Sequence, residues 1–98
     1  MRDAGSVRVR LRGELDLATA PAVTAVLLRL RQQGERVVLD LDGVGFIDMS
    51  GLRVVLAAAG DASRDGGSFK VTRGSSQVRR LVSLVGLDGN LPVEAGLA

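Results

Sequence analysis

Residues 37–52 read Val37-Val38-Leu39-Asp40-Leu41-Asp42-Gly43-Val44-Gly45-Phe46-Ile47-Asp48-Met49-Ser50-Gly51-Leu52. The first five are short, β-branched and nearly continuous in apolar character. That is how a central strand covered by helices reads. Asp42-Gly43-Val44-Gly45 has turn chemistry, and Phe46-Ile47 is apolar again. Ser50 then opens a helix to about Asp65, with Leu52, Val55, Leu56 and Ala59 as its buried stripe and Gly66-Gly67 as its stop.

Working outward, Ser6–Arg12 alternates Val7, Val9 and Leu11 with Arg8, Arg10 and Arg12. This predicts a strand with one buried face and an arginine face that is solvated or meets a partner. Residues Gly13 to Ala18 read as a loop. Thr19 is placed to cap a helix with Pro21 in its first turn, Val23, Val26, Leu27 and Leu30 as its apolar stripe and Gly34 as its stop. Ser68–Thr72 predicts a short strand. Ser75 opens a third helix, with Val78, Leu81, Val82 and Val85 inward and Gly86 as its stop. Leu91–Glu94 is a last strand that Pro92 demotes to an edge. The order β-α-β-α-β-α-β implies right-handed crossovers and a mainly parallel four-stranded sheet with helices packed against it. One α/β domain over residues 1–98, with its core at about 6–95, accounts for the chain.

Composition removes whole classes of function. The 98 residues include no Cys and no His. Thiol catalysis, Ser-His triads and Cys or His zinc sites are therefore out. A serine nucleophile would have to use Lys70, the one lysine, on a strand far along the chain, so no catalytic residue is expected. Phe46 and Phe69 are the only aromatic residues, too few for a base-stacking surface. Net charge is +2, and twelve of the thirteen basic residues are Arg. Solvated arginines, with no nucleic-acid partner, fit that balance. The longest apolar run, Val54 to Gly60, is far short of the ~20 residues a membrane span needs. No direct membrane insertion is expected, and a cytoplasmic location agrees with the missing cysteines. No phosphate-cradling glycine loop is present, and no cofactor is expected. Asp40, Asp42 and Asp48 are close in sequence and could attract Mg²⁺. The alternation of Asp40 with apolar neighbours and the use of Asp in turns argue instead for structural roles, and no metal is expected.

Phe46 to Leu52 is the segment with most chemical content. An acidic residue, a hydroxyl and a glycine stand where a strand gives way to a helix. Backbone N–H groups there favour a negative group, and a phosphate beside Asp48 would repel it. Asp48 or Ser50 can equally be a helix cap.

Three motifs together resemble the STAS domain, the family of bacterial anti-sigma factor antagonists. They are Gly13-Glu14-Leu15-Asp16 after the first long strand, the strand Val37–Leu41, and Phe46-Ile47-Asp48-Met49-Ser50-Gly51-Leu52. The resemblance implies a non-catalytic module that binds an anti-sigma factor of the histidine-kinase-like ATPase type. It implies a partner surface of Asp16, Asp48, Met49, Ser50, Gly51, Leu52 and Arg53. It also implies a phospho-acceptor directly after the motif aspartate, where this chain has Met49. A thioether cannot be phosphorylated. Either binding here is phosphorylation-independent, or Ser50 has become the acceptor. Met49 itself can be an adaptable contact or can pack against the Ile47 side of the loop. The alternative function is a small STAS subunit of a bacterial phospholipid-transport ABC complex that binds its ATPase. Only Met1–Gly5 precede the first long strand and only Ala95–Ala98 follow the last. The family's usual N-terminal strand and C-terminal helix are therefore expected to be absent. An edge or patch left open in that way allows a homodimer. Replacing Asp48 with Lys is expected to abolish binding with little effect on stability.

Overall fold

The computed structural model describes residues 2–3 and 5–94. In chain order the elements are β1 (Arg2–Asp3), β2 (Ser6–Leu15), α1 (Ala20–Gln32), β3 (Val37–Ile47), α2 (Met49–Asp65), β4 (Phe69–Val71) and α3 (Ser76–Leu84). The strands form one sheet in the order β1-β2-β3-β4. β2–β3 and β3–β4 are parallel, as strand-helix-strand units require, and β1 runs antiparallel to β2.

Two strand expectations are corrected at the ends. An N-terminal strand is present, because Arg2 and Asp3 pair with Val7 and Ser6. The strand at Leu91–Glu94 shrinks to one parallel bridge, Val71 to Val93. Pro92 has no N–H for a ladder, and its carbonyl accepts from the Val71 N–H at 3.0 Å. The expected absence of a C-terminal helix concerns Ala95–Ala98, which lie outside the described residues.

A third correction concerns β3. Asp42 to Gly45 is not a turn but the second half of an eleven-residue strand. β2 likewise continues through Gly13 and Glu14 to Leu15, and the two strands stay paired as far as Leu15 opposite Ile47. The glycines serve this pairing. A Cβ on Gly43 would lie 3.0 Å from the Leu11 carbonyl oxygen, so backbone meets backbone there. Gly13 has φ +82°, next to one of two register shifts between the strands. Beyond Val71, where β4 ends, residues of the next loop take over its pairing role along β3. The Thr72 hydroxyl accepts from the Leu41 N–H at 2.9 Å, and the Leu41 carbonyl accepts from Ser75 N–H at 3.2 Å. The Ser75 hydroxyl donates to the Val44 carbonyl and also caps α3 by accepting from Val78 N–H.

All three helices feed one apolar cluster that includes Leu15, Leu27, Leu39, Leu41, Val55 and Val78. α2 turns Leu52 and Val55 fully inward, and α3 buries Val78 and Val82. The stripes are narrower than their spacing suggests: Val26 of α1 and Val85 after α3 are exposed. Gly66, at φ +73°, closes α2 in the left-handed conformation that an L side chain disfavours.

Val38 alternates with the core residues Val37 and Leu39 and so belongs to the opposite sheet face, yet it is only 7% exposed. An ion-pair clasp crosses that face. One guanidinium nitrogen of Arg8 reaches both Glu94 oxygens, at 3.0 and 3.1 Å, and the other reaches Asp40 at 3.4 Å. Arg8 and Val38 are registered partners on adjacent strands. The arginine face read from Ser6–Arg12 is thus divided: Arg8 is half-buried and paired, Arg10 is exposed with its Nε 3.8 Å from Asp40, and Arg12 is exposed. Replacing Arg8 with Ala removes the cation Glu94 and Asp40 share and leaves Asp40 only the longer contact with exposed Arg10. It is expected to cost about 2 kcal/mol, against about 1 kcal/mol for Glu94→Gln. Urea unfolding midpoints check the ranking, and a smaller loss for Arg8→Ala than for Glu94→Gln would contradict it.

Candidate functional site

β2 and β3 end side by side, Leu15 opposite Ile47, and the next residue of each strand is an aspartate. This is the carboxyl end of a parallel sheet, where α/β domains commonly place their sites. Asp16 shapes the loop into α1. Its Oδ1 accepts from Ala18 N–H at 3.0 Å and Thr19 N–H at 3.1 Å. Thr19 holds the N-cap position of α1, but its hydroxyl accepts from the Asp16 N–H at 2.9 Å and not from a helix N–H. The cap expected of Thr19 is replaced by this reciprocal Asp16–Thr19 lock.

Asp48 is the N-cap of α2, so the helix begins at Met49 rather than Ser50. Its Oδ1 accepts from Gly51 N–H at 3.0 Å, and its own N–H donates to the Leu15 carbonyl at 3.3 Å. Each aspartate thus spends Oδ1 on backbone. Oδ2 of each takes no hydrogen bond among the described residues, so both carboxylates keep an oxygen for an external group. Asp40 sits in the Arg8 clasp and Asp42 is exposed, so the three aspartates read as a metal candidate serve three different local structures.

Among the described glycines, Gly51 has the closest surroundings. A Cβ there would lie 2.1 Å from the Leu15 carbonyl oxygen and 2.8 Å from the Leu15 side chain. Only glycine lets α2 start this close to the end of β2. Leu52 is 1% exposed. Gly51 and Leu52, expected at the partner surface, are instead buried: they build the site from beneath and present no side chain to a partner. Met49 (38% exposed) and Arg53 point outward one turn apart on α2. Ser50, half-buried, is turned about 100° away from Met49.

Two residues outside the expected partner surface, one of them the first residue of the motif, stand exposed at the same end of the sheet. Leu17, in the loop after β2, is 74% exposed, and Phe46, near the end of β3, is 50% exposed. Phe46 is registered opposite Glu14. The inward residues of this half of β3 are Leu41, Val44 and Ile47, three apart. Strict alternation from Leu39 and Leu41 therefore misplaces Val44, which is 1% exposed, and leaves Phe46 outward. A large apolar residue left out of that three-residue rhythm was the available signal. Leu17, Phe46 and Met49 all lie at the end of the sheet that carries the two aspartates.

A family model described as "Mlab, STAS domain" matches residues 2–94. The chain belongs to the STAS domain family. It is 35% identical over 91 residues to the anti-sigma F factor antagonist of Paenibacillus polymyxa, covering 91% of this chain and 78% of that protein. It is 28% identical over 94 residues to the anti-sigma-B factor antagonist of Bacillus subtilis strain 168, covering 96% and 86%. The crystal structure of an anti-sigma factor antagonist from Mycobacterium paratuberculosis matches this STAS domain with a TM-score of 0.82 at 29% identity, covering 99% of this chain and 83% of that one. Among the described residues no helix is long and apolar enough to cross a membrane.

The capping bond of Asp48 changes one expectation: Asp48→Lys loses a helix cap as well as a surface charge. Any non-capping replacement of Asp48 is expected to lower stability by about 1 kcal/mol. Gly51→Ala forces α2 away from Leu15 and is expected to cost about 3 kcal/mol. Thermal melts of the two variants check both values. A Gly51→Ala variant as stable as the parent would refute the close approach.

Proposed function

We propose that this STAS domain is an anti-sigma factor antagonist. It acts by binding, and its partner is an anti-sigma factor of the histidine-kinase-like ATPase type. The carrying observation is the surface at the carboxyl end of β2 and β3. Three exposed apolar side chains, Leu17, Phe46 and Met49, stand among two aspartates whose backbone bonds fix their positions. Apolar anchors ringed by charge are what a specific protein interface uses. Asp16 and Asp48 attract basic groups on the partner, and Arg53 an acidic one, which sets orientation and association rate. The relatives named as antagonists of anti-sigma factors support the same assignment.

Met49 stands directly after the aspartate cap, outward on α2, where the motif's hydroxyl is expected. Binding is therefore independent of phosphorylation at that position. Ser50 lies around the helix and half-buried, an inferior acceptor for a kinase that needs in-line geometry.

The test is affinity capture from the native host's lysate, read by mass spectrometry. Recovery of a histidine-kinase-like ATPase supports the assignment. Recovery of an ABC ATPase replaces it with the transporter-subunit reading. With the captured ATPase and ATP, the parent chain is expected to gain no phosphate, and Met49→Ser to gain one. A phosphate on Ser50 of the parent chain would refute phosphorylation independence. Leu17→Asp and Phe46→Ala are each expected to weaken capture at least tenfold, at about 1.4 kcal/mol per tenfold, while melting like the parent. Calorimetric titration measures this.

A further inference from the structure

Met49 carries one of only two sulfur atoms in the chain: there is no cysteine, and the other methionine is Met1. It is 38% exposed at the first position of α2. Its backbone is held between the Asp48 cap and the contact of Gly51 with Leu15. Around it the hydrogen-bond inventory is unfilled. Neither the Met49 nor the Ser50 N–H donates to any group among the described residues, and the Ser50 hydroxyl has no partner there. These donors stand at the positive end of a 17-residue helix. A thioether is a poor acceptor for them. A sulfoxide, whose oxygen carries a large partial negative charge, is a good one.

We propose that Met49 is an oxidation site, and that its conversion to the sulfoxide by a peroxide switches off the partner surface around it. The second half rests on the binding role proposed above, and the first does not. The thioether sulfur attacks one oxygen of hydrogen peroxide. The O–O bond breaks, an S–O bond forms, and water leaves. Sulfur loses two electrons and the peroxide gains them. A methionine sulfoxide reductase reverses the change at the expense of thiols. Oxidation turns a flexible apolar contact into a polar one. The fold is untouched, because the core is built from Leu, Val, Ile, Ala and Phe and contains no sulfur. A position that cannot be switched by phosphate is thus open to switching by oxygen transfer.

The experiment has two arms. In the first, the purified full chain is treated with hydrogen peroxide and followed by peptide mass spectrometry. Met49 is expected to oxidise within about threefold of the rate of free methionine, with no change in melting temperature. Protection of Met49 by more than about tenfold relative to free methionine overturns the site, since oxidation follows exposure. In the second arm, the oxidised chain is titrated against the ATPase recovered by affinity capture. Affinity is expected to fall about tenfold, the effect of losing one apolar anchor, and to return after sulfoxide reductase treatment. Met49→Leu is expected to bind like the parent and ignore peroxide, and Met49→Gln to bind weakly without it. An oxidised chain that binds like the parent overturns the switch. Capture of no partner overturns the binding role and the switch together, and the mass spectrum still decides the chemistry.

Discussion

The Leu15 carbonyl is the point on which the site depends. It closes β2, accepts the N–H of Asp48, and lies against Gly51 with no room for a single carbon between them. One oxygen atom thus fixes the end of one strand, the exit of the next and the start of α2. Leu15 itself is 1% exposed, so this junction is anchored in the core. Everything exposed at that end of the sheet inherits the rigidity. Asp48 caps a helix that has nowhere to slide, and Asp16 closes its loop with its own carboxylate and Thr19. A surface held this way loses little conformational freedom when a partner docks, and that freedom is a main cost of binding.

The same junction explains how far the sequence could be read. Helices and parallel strands were legible because apolar spacing, caps and glycine stops act locally. Val78 and Val82, or Leu52 and Val55, are buried for the reason their spacing gives. β3 was legible only as far as Leu41. Its second half depends on β2 running beside it and on glycines chosen for backbone contact, which in one dimension look like a turn. Val38 could not be interpreted from its neighbours either. Its registered neighbour on β2 is Arg8, which is joined to Glu94 at the far end of the described chain.

The site was legible in a particular way. The motif Asp48-Met49-Ser50-Gly51-Leu52 mixes residues that build with residues that present. Gly51 and Leu52 are there because α2 must touch Leu15 and fill the core. Asp48 does both jobs, one oxygen inward on backbone and one outward. Within this stretch only Met49 is exposed, at 38%, and Arg53 continues that outward face one turn on. The motif's strength as a signal thus comes largely from architecture, which is why it pointed so directly to a fold. Leu17 carries no motif signal, and Phe46, which opens the full motif, is 50% exposed and adds nothing to the buried core.

That division bears on how partner choice is encoded. A position fixed by backbone contact cannot vary without moving α2, so it cannot distinguish one partner from another. Positions 17, 46 and 49 have no such duty. Leu17 lies in a loop, Phe46 points away from the core and Met49 projects from the first turn of α2. Their side chains are free to fit a particular partner, and here all three are apolar. Methionine at position 49 fits this logic better than it fits a defect. It trades a hydroxyl, which offers one donor and a site for charge, for a flexible apolar anchor between two carboxylates of fixed position. Under the proposed binding role, the framework contributes placement and these three residues contribute identity.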